Sequence, residues 1–417
     1  MSSGFRHKAA AMSGLSLLCS MVLAGWTQLN SGTTADLYAV HFPAGTQIGY
    51  AVGATGTIRK TTDGGNNWAP ESSGTTNGLK SVYFKEESTG FAVGERGTAL
   101  KTTDGGATWT TMTVPGSDVL NHVQFPDNDT VGYIGVYRVS GARVLKTTNG
   151  GGDWTAVSVG GPMSSSRSCG FATDDVGVVV GNGGFVYATT DGCSTFTAQG
   201  SQTIADIVDA AFSPADPNMG YLIGDDPSQG VVRYTATGGF PLWDSVTCPV
   251  ITAFYGVDMP DSEVAYICGT DGFIGKTVSP TEVGWTQVPS GFTATVRGLC
   301  FPVGADTGYA VGAGGAILVT YDGGEFPQWV TEGKEPSMGR AGIRVASNPS
   351  RYGITFHADA DASVVVLDAA GRVVKSQAAT KGLNFLPVPK AGVYFVREEA
   401  QGANLKPQVV RKVVVTR

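Results

Sequence analysis

The chain has 417 residues, of which 60 are glycine and only 15% are charged. This length allows two or three domains, and the composition favours short strands joined by tight turns over helices or disorder. Residues 25–337 hold 14 Lys and Arg against 30 Asp and Glu, a net charge of −16, whereas residues 338–417 hold 12 against 5, a net charge of +7. The opposite signs indicate two domains. The acidic one is a poor partner for nucleic acid, whose phosphates require a basic surface.

The N-terminal residues have the pattern of a secretory signal. Arg6, His7 and Lys8 precede an apolar stretch at residues 9–23, and small residues before Gly25 offer a cleavage site. We therefore predict that residues 1–24 are a signal peptide, with a membrane anchor as the alternative. This prediction places the mature protein outside the cell or on its surface, with no transmembrane segment left after cleavage.

A tag with the sequence Thr-Thr-Asp-Gly-Gly-x-x-Trp repeats along the chain. Complete copies occupy residues 61–68 and 102–109, and altered copies occupy residues 147–154, 189–196 and 320–329. Alignment on the closing aromatic residue gives eight positions, 41 to 47 residues apart: Trp26, Trp68, Trp109, Trp154, Phe196, Trp243, Trp285 and Trp329. Each interval contains four strand-like stretches, which is typical of a propeller blade. We predict an all-β fold with a seven-bladed β-propeller over residues 25–333.

Eight closing segments for seven blades leave one segment spare. Residues 26–29 repeat the pattern of residues 285–288, and residues 329–331 are a weaker copy. One terminal segment is therefore expected to complete the outer strand of the blade that the other end of the chain provides. The sequence does not choose between them.

The tag is suited to closing a turn. Its glycines permit positive φ, its Asp can accept hydrogen bonds from backbone amides of the turn, and its Trp can pack over the hairpin. The third copy has Asn in the Asp place, and two blades have lost the Asp. We therefore predict a structural role for the repeated residues Asp63, Trp68, Asp104, Trp109, Asn149, Trp154, Asp191 and Asp322.

Together with Gly-Tyr-Ala-Val-Gly stretches, as at residues 49–53, the tag resembles the Asp-box, or bacterial neuraminidase repeat. The version in the photosystem II assembly and stability factor family is the most similar, over about residues 26–333. The resemblance implies the fold but no particular activity. Such repeats also occur in sialidases, in xyloglucan hydrolases and in exported proteins of no assigned function.

Candidate catalytic residues are few. The arginines occupy non-equivalent blade positions, unlike those of a sialidase, and the four histidines form no Ser-His-Asp or Cys-His pattern. Glycoside cleavage would require two carboxylates roughly 5–10 Å apart, and the best candidates are Asp206, Asp209, Asp225 and Asp226, with turn formation as the alternative. We predict no catalytic residue, no metal site and no cofactor, and keep an Asp-box glycoside hydrolase as the alternative function.

A binding site is predicted from one variable position near the start of the first strand of each blade. If the first strands line the central channel, the side chains at this position converge at its mouth: Tyr38, Lys80, Asn121, Arg167, Val208, Tyr255 and Arg297. The aromatic, cationic and amide groups among them suit an acidic glycan or a peptide carboxylate. The prediction is a protein or glycan ligand. The alternative is that these residues only pack between blades.

Five cysteines follow the predicted signal: Cys169, Cys193, Cys248, Cys268 and Cys300. An odd number does not describe a closed set of disulfides. The first two share one repeat, as do the next two, so either pair could close, and buried thiols are the alternative.

Residues 334–342 are predicted to be a linker, and residues 343–417 a small immunoglobulin-like β-sandwich. The stretches at residues 364–374, 392–397 and 411–417 resemble the type IX secretion sorting domain, which is related to the immunoglobulin-like domain of flagellar hook-capping proteins. That resemblance implies contact with the secretion machinery and export across an outer membrane. An ordinary immunoglobulin-like stalk or a carbohydrate-binding module is the alternative.

Overall fold

The computed structural model describes residues 25–321 with short gaps, residues 323–324 and seven strands nearer the C-terminus. The gaps are residues 128–129, 139–140, 162–164, 227–229, 239–241, 247, 249, 251 and 279–283. The predicted signal peptide and linker, and with them Asp322 and Trp329, lie outside the described residues. Seven four-stranded antiparallel sheets follow one another between residues 27 and 320. The predicted all-β, seven-bladed β-propeller is confirmed.

The first four blades are each formed by four consecutive strands. Blade 1 contains β2 (Leu37–His41), β3 (Gly49–Gly53), β4 (Ile58–Thr61) and β5 (Ala69–Glu71). Blade 2 contains β6 (Leu79–Phe84), β7 (Gly90–Gly94), β8 (Ala99–Thr102) and β9 (Thr110–Thr111). Blade 3 contains β10 (Val119–Gln124), β11 (Gly132–Tyr137), β12 (Arg143–Thr147) and β13 (Thr155–Ser158). Blade 4 contains β14 (Ser166–Phe171), β15 (Gly177–Gly181), β16 (Val186–Thr189) and β17 (Thr197–Gln199).

The remaining blades complete the ring. Blade 5 contains β18 (Ile207–Phe212), β19 (Gly220–Gly224), β20 (Val232–Thr235) and β21 (Asp244–Ser245). Blade 6 contains β22 (Phe254–Asp258), β23 (Ala265–Gly269), β24 (Ile274–Thr277) and β25 (Thr286–Gln287). Blade 7 contains β26 (Val296–Val303), β27 (Thr307–Gly312), β28 (Ile317–Thr320) and, from the N-terminus, β1 (Thr27–Leu29).

Short 3₁₀ turns join the second and third strands in five blades: Ala54–Gly56, Glu95–Gly97, Asn182–Gly184, Thr270–Gly272 and Ala313–Gly315. None of the described helical segments has the length and apolar character needed to span a bilayer.

The ring is closed by the N-terminal segment. Strand β1 pairs antiparallel with β28, with Thr27 opposite Val319 and Leu29 opposite Ile317. The sequence left open which terminal segment completes the ring. In the structure the N-terminal strand β1 does so, as the outer strand of the last blade. Such pairing joins the two ends of the propeller and covers the edge of β28.

The hydrophobic core is a set of seven layers, one between each pair of neighbouring blades. Within most layers, an aromatic residue of the second strand packs on the Phe at the end of the first strand of the next blade. The stacked pairs have ring centres 3.6 to 3.9 Å apart: Tyr50 with Phe84, Tyr133 with Phe171, Tyr266 with Phe301 and Tyr309 with Phe42.

A glycine makes room for each of these Phe rings. A Cβ atom on Gly49 would lie 2.3 Å from the ring of Phe42, so a larger residue there would displace the ring from the layer. This close approach explains the glycine that opens the Gly-Tyr-Ala-Val-Gly stretch.

Near the C-terminus, the described strands form two further sheets. One contains β29 (Ile343–Val345), β30 (Gly353–Ala358) and β33 (Gly382–Pro387). The other has the order β32 (Val373–Ala379), β31 (Ala362–Asp368), β34 (Gly392–Glu399) and β35 (Gln408–Val415). All neighbouring strands in both are antiparallel.

Ring closure gives a stability prediction. The Tyr309 hydroxyl donates a hydrogen bond to the Gly64 carbonyl of blade 1 at 2.9 Å, and its ring stacks on Phe42. Tyr309→Phe removes the hydrogen bond and keeps the stack, and we expect it to lower the free energy of unfolding by about 1–2 kcal/mol. Tyr309→Leu also loses the stack and is expected to cost about 3 kcal/mol. Denaturant unfolding measures both, and equal losses would contradict the separate contribution of the ring.

Candidate functional site

The first strand of every blade has a β-bulge at the predicted variable position. The pairing of the first and second strands skips one residue in each blade, and the skipped residues are Tyr38, Lys80, Asn121, Arg167, Val208, Tyr255 and Arg297. A bulge frees its extra residue from the ladder and re-aims its side chain. All seven line the same central cavity, of about 610 Å³. The structure therefore brings the predicted residues together at the channel.

Four consecutive blades present alternating aromatic and cationic side chains, which we call the mouth arc. It comprises Tyr255, Arg297, Tyr38 and Lys80, from blades 6, 7, 1 and 2. The Arg297 guanidinium lies 5.6 Å from the centre of the Tyr255 ring and 5.5 Å from that of Tyr38. The Lys80 ammonium lies 4.0 Å from the centre of the Tyr38 ring. These distances are in the range of cation–π attraction, so the rings hold the two cations at the channel.

The two cations of the mouth arc differ in how closely a carboxylate approaches them. Arg297 Nη2 lies 3.7 Å from Asp36, beyond hydrogen-bond distance, and the Arg297 Nε has no hydrogen-bond partner among the described residues. Lys80 Nζ lies 3.0 Å from Glu95, whose side chain is 42% exposed. The hydrogen bond from Lys80 lowers the pKa of Glu95. Because exposed ion pairs contribute little stability, an incoming anion can replace these carboxylates at small cost.

Two other predicted binding residues are engaged by the protein itself. Arg167 donates to Asp206 at 2.6 Å, to Asp225 at 3.1 Å and to Asn182 at 2.6 Å. Asn121 donates to the Arg167 carbonyl at 2.8 Å. Apart from the bond to Asn182, which lies within blade 4, these contacts connect neighbouring blades, and packing between blades was the alternative prediction for these residues. Among the predicted residues, those of the mouth arc are therefore the ones left to contact a ligand.

Ionisable side chains also lie deeper in the cavity. Burial, with a contribution from His122, lowers the pKa of His41 to about 4. Asp258 accepts a hydrogen bond from the Phe301 amide at 2.6 Å, yet burial raises its pKa to about 6, and the nearby Asp209 adds to this effect. Burial also raises the pKa of Asp209. The interior disfavours charge of either sign, so an ionic ligand is better accommodated at the mouth than inside the channel.

The carboxylates considered for hydrolysis do not form an open catalytic pair. Asp206 and Asp225 both bind the guanidinium of Arg167, and Asp226 follows Asp225 in the same loop. Burial raises the pKa of Asp225, against the attraction of Arg167. Asp209 lies inside the channel and accepts from the Val257 amide at 3.3 Å. Among the residues that the structure describes, no group of three or more His, Cys, Asp or Glu side chains is placed to hold a metal ion.

The five cysteines are free thiols. Cys193 takes the place of the second glycine of a tag, with φ of 73°. Burial raises its pKa to about 12, so it stays protonated.

The tags form closely similar hydrogen-bonded turns. Asp104 accepts from the Thr102 hydroxyl at 2.8 Å, the Thr108 amide at 2.9 Å and the Thr108 hydroxyl at 2.6 Å. These bonds, above all that from the Thr108 hydroxyl, lower the pKa of Asp104 to about 2. Asp63 makes the corresponding bonds with Asn67, and Asp191 with Thr195. The Trp that closes a tag packs edge-on against the first-strand Phe of its own blade, as for Trp68, Trp109 and Trp154.

The third tag keeps this geometry with the partners exchanged. Asn149 Oδ1 accepts from the Asp153 amide at 2.9 Å, and Asn149 Nδ2 donates to the Asp153 carboxylate at 2.9 Å. The carboxylate has thus moved from the first to the second member of the pair.

Tags also contact the preceding blade through a glycine carbonyl. Lys60 and Tyr50 of blade 1 both donate to the Gly105 carbonyl of blade 2, at 2.7 and 2.8 Å. Lys101 donates to Gly150 at 3.1 Å, and Lys146 to Gly192 at 2.6 Å. The tag therefore joins blades as well as closing its own hairpin, which the sequence prediction had not included.

Seven blades, the tag turns and a bulge-lined channel define the class of this molecule as a seven-bladed β-propeller. Comparison with protein families adds a partial match. The model of the photosynthesis system II assembly factor YCF48 matches residues 73–215, about a third of the chain. No curated protein sequence matches the chain.

Solved structures of other propellers resemble this one. YCF48 bound to D1 peptide is 19% identical, with a TM-score of 0.57 over 72% of this chain and 99% of that one. YCF48 from Cyanidioschyzon merolae is 18% identical, with a TM-score of 0.58 over 72% and 99%. The WD40 propeller domain of Doa1 is 14% identical, with a TM-score of 0.52 over 71% and 96%. At these identities the similarity shows the fold alone.

The exchanged third tag gives a prediction. Asn149→Asp would place two carboxylates against each other, and we expect the thermal midpoint at pH 7 to fall by roughly 1–3 °C. Adding Asp153→Thr recreates the pair found at Asp104 and Thr108 and should restore the midpoint. A double variant no more stable than the single one would contradict this account of the turn.

The pH dependence of the same variants tests whether repulsion between the two carboxylates causes the loss of stability. A tag Asp with a lowered pKa stabilises the fold above its ordinary pKa near 4, and the contribution is lost as the pH falls towards 2. The repulsion in Asn149→Asp requires both carboxylates to be ionised, so the loss at pH 7 should shrink at pH 3.

Proposed function

We propose that this chain is an exported, non-catalytic β-propeller that binds an acidic segment of a protein partner at its channel mouth. The observation that carries the proposal is the mouth arc. Arg297, beyond hydrogen-bond distance of Asp36, lies between the rings of Tyr255 and Tyr38. Lys80, paired with the partly exposed Glu95, lies against the ring of Tyr38. A carboxylate can accept hydrogen bonds from Arg297 and Lys80 while the adjoining chain packs on the rings.

A peptide is favoured over a glycan as the ligand for two reasons. One of the similar propellers is described as YCF48 bound to D1 peptide, which supports a peptide ligand for this fold. The mouth arc also combines planar aromatic rings with charges on neighbouring blades, which suits an extended chain with acidic side chains. Binding of an acidic glycan is an outcome that the test below distinguishes.

Export is proposed from the two ends of the sequence. The basic and apolar pattern of residues 1–24 supports cleavage after Ala24, and the motifs of residues 343–417 support a sorting domain with an immunoglobulin-like sandwich fold. Two described antiparallel sheets in that region are compatible with such a sandwich. A mature protein that still carries residues 1–24 would contradict the signal peptide. Undiminished export after deletion of residues 343–417 would contradict the sorting domain.

The mouth is tested with an eight-residue oligoglutamate peptide and its oligoglutamine counterpart, by calorimetry or fluorescence anisotropy. We expect the acidic peptide to bind and the neutral one not to. Arg297→Gln should weaken binding about tenfold or more, because a hydrogen bond to a charged group is worth about 1.5–3 kcal/mol. Arg59→Gln is the matched control, since Arg59 donates to the Gly32 carbonyl and does not line the channel.

Three outcomes would contradict the proposal. Equal loss of affinity in both variants would mean that only net charge matters, and stronger binding of oligogalacturonate would assign the site to a glycan. Hydrolysis of fluorogenic glycosides that disappears in Asp225→Asn or Asp226→Asn would favour the glycoside hydrolase instead.

A further inference from the structure

A second cavity adjoins the channel mouth between blades 2 and 3. It has a volume of about 390 Å³ and is lined by Glu95, Arg96, Asp118, Tyr137 and Arg138, together with Ser117 and Val119. We call it the side cleft. Two contacts connect it to the mouth. Lys80 at the mouth pairs with Glu95 in the side cleft at 3.0 Å, and Arg167 at the mouth lies 5.5 Å from the ring centre of Tyr137 in the side cleft.

The side cleft has two cations with no carboxylate at hydrogen-bond distance among the described residues. Its carboxylate Asp118 is bound by Arg143 at 2.5 Å, and Arg143 also donates to the Pro115 carbonyl at 3.0 Å. Arg138 is left 3.8 Å from the same carboxylate, beyond hydrogen-bond distance. Arg96 is exposed at the tip of its 3₁₀ turn, where its charge, after the hydrogen bond from Lys80, also lowers the pKa of the adjacent Glu95.

The remaining carboxylate of the side cleft only partly offsets these cations. Glu95 is already paired with Lys80, whose hydrogen bond lowers the Glu95 pKa. Arg96 and Arg138 therefore form a local positive patch, with the ring of Tyr137 beside them, in a domain of strongly negative net charge. Because fields between exposed charges are screened beyond about 8–10 Å, this local patch can attract an anion in spite of the overall charge.

We propose that the side cleft is a second subsite, which binds a further acidic side chain of the same peptide that occupies the mouth. The inference rests on the proposed function and gives the partner a more definite chemistry. It is an extended segment with at least two acidic groups, one at the mouth arc and one at Arg96 and Arg138. An extended chain advances about 3.3 Å per residue, so eight residues are ample to reach both subsites.

Two linked subsites predict a dependence on peptide length. Once the first acidic group is bound, the second binds as an intramolecular event at a high effective concentration. At 0.1 M salt we expect octaglutamate to bind at least tenfold more tightly than diglutamate. In the Arg96→Gln/Arg138→Gln variant, octaglutamate should lose about fivefold in affinity, whereas diglutamate at the mouth should bind as before.

The control variant is Arg59→Gln/Lys375→Gln. It has the same change in net charge, and neither of its residues lines the side cleft. This variant is expected to bind both peptides nearly as the unaltered protein does. Thermal unfolding of each variant checks that the fold is retained.

The outcomes separate the two proposals. The side cleft is refuted if octaglutamate binds no more tightly than diglutamate, or if its affinity is unchanged in the Arg96→Gln/Arg138→Gln variant. It is also refuted as a peptide subsite if octagalacturonate binds more tightly than octaglutamate and depends on the same arginines. Octaglutamate that depends on these arginines but not on Arg297 would support the side cleft and refute the mouth.

Discussion

The stacking of an aromatic ring of one blade on a Phe of the next is the interaction on which the ring depends. A single blade has two apolar faces, and each is buried only against a neighbour. In four of the seven layers this contact is a parallel stack, and in three of these the tyrosine hydroxyl also donates to a tag glycine of the next blade. Burial and hydrogen bonding therefore act at the same joint. The last joint, Tyr309 on Phe42, closes the ring together with strand β1.

The lysine that precedes a tag contributes to the same contact between blades. It is present where the tag of the next blade keeps its Asp or, in blade 3, has Asn149 in that place. Lys60, Lys101 and Lys146 donate to tag glycines of blades 2, 3 and 4. Blades 4 and 5 have Ala188 and Tyr234 in this place, and the blades after them have lost the Asp of the tag. Blade 7 is the exception, with Val319 in this place and an intact tag in blade 1, where the Tyr309 hydroxyl supplies the bond.

Much of the fold could be predicted from the sequence because its signal is periodic. Four strands per 41 to 47 residues and the repeated aromatic residues gave the blade count, and the variable position gave the residues that converge at the channel. Pairing between the ends could not be predicted, since both terminal segments resemble an outer strand. Nor could the salt bridges be predicted. Asp36 and Asp206 directly precede the first strands of their blades and Glu95 begins a 3₁₀ turn, and the sequence does not show which cation each of them meets.

The bulge explains why sequence variation coincides with exposure to the channel at one position of each blade. A residue within the ladder must fit its cross-strand neighbour and the layer beneath, which is why Leu37 and Val40 are apolar and buried. The bulged Tyr38 has no ladder partner, so its side chain is free of that constraint and is directed to the channel. Seven such positions on one rigid ring can be changed independently. Where two neighbouring blades place a cation between aromatic rings, as Arg297 lies between Tyr255 and Tyr38, the scaffold holds a charge at the mouth at little cost to its stability.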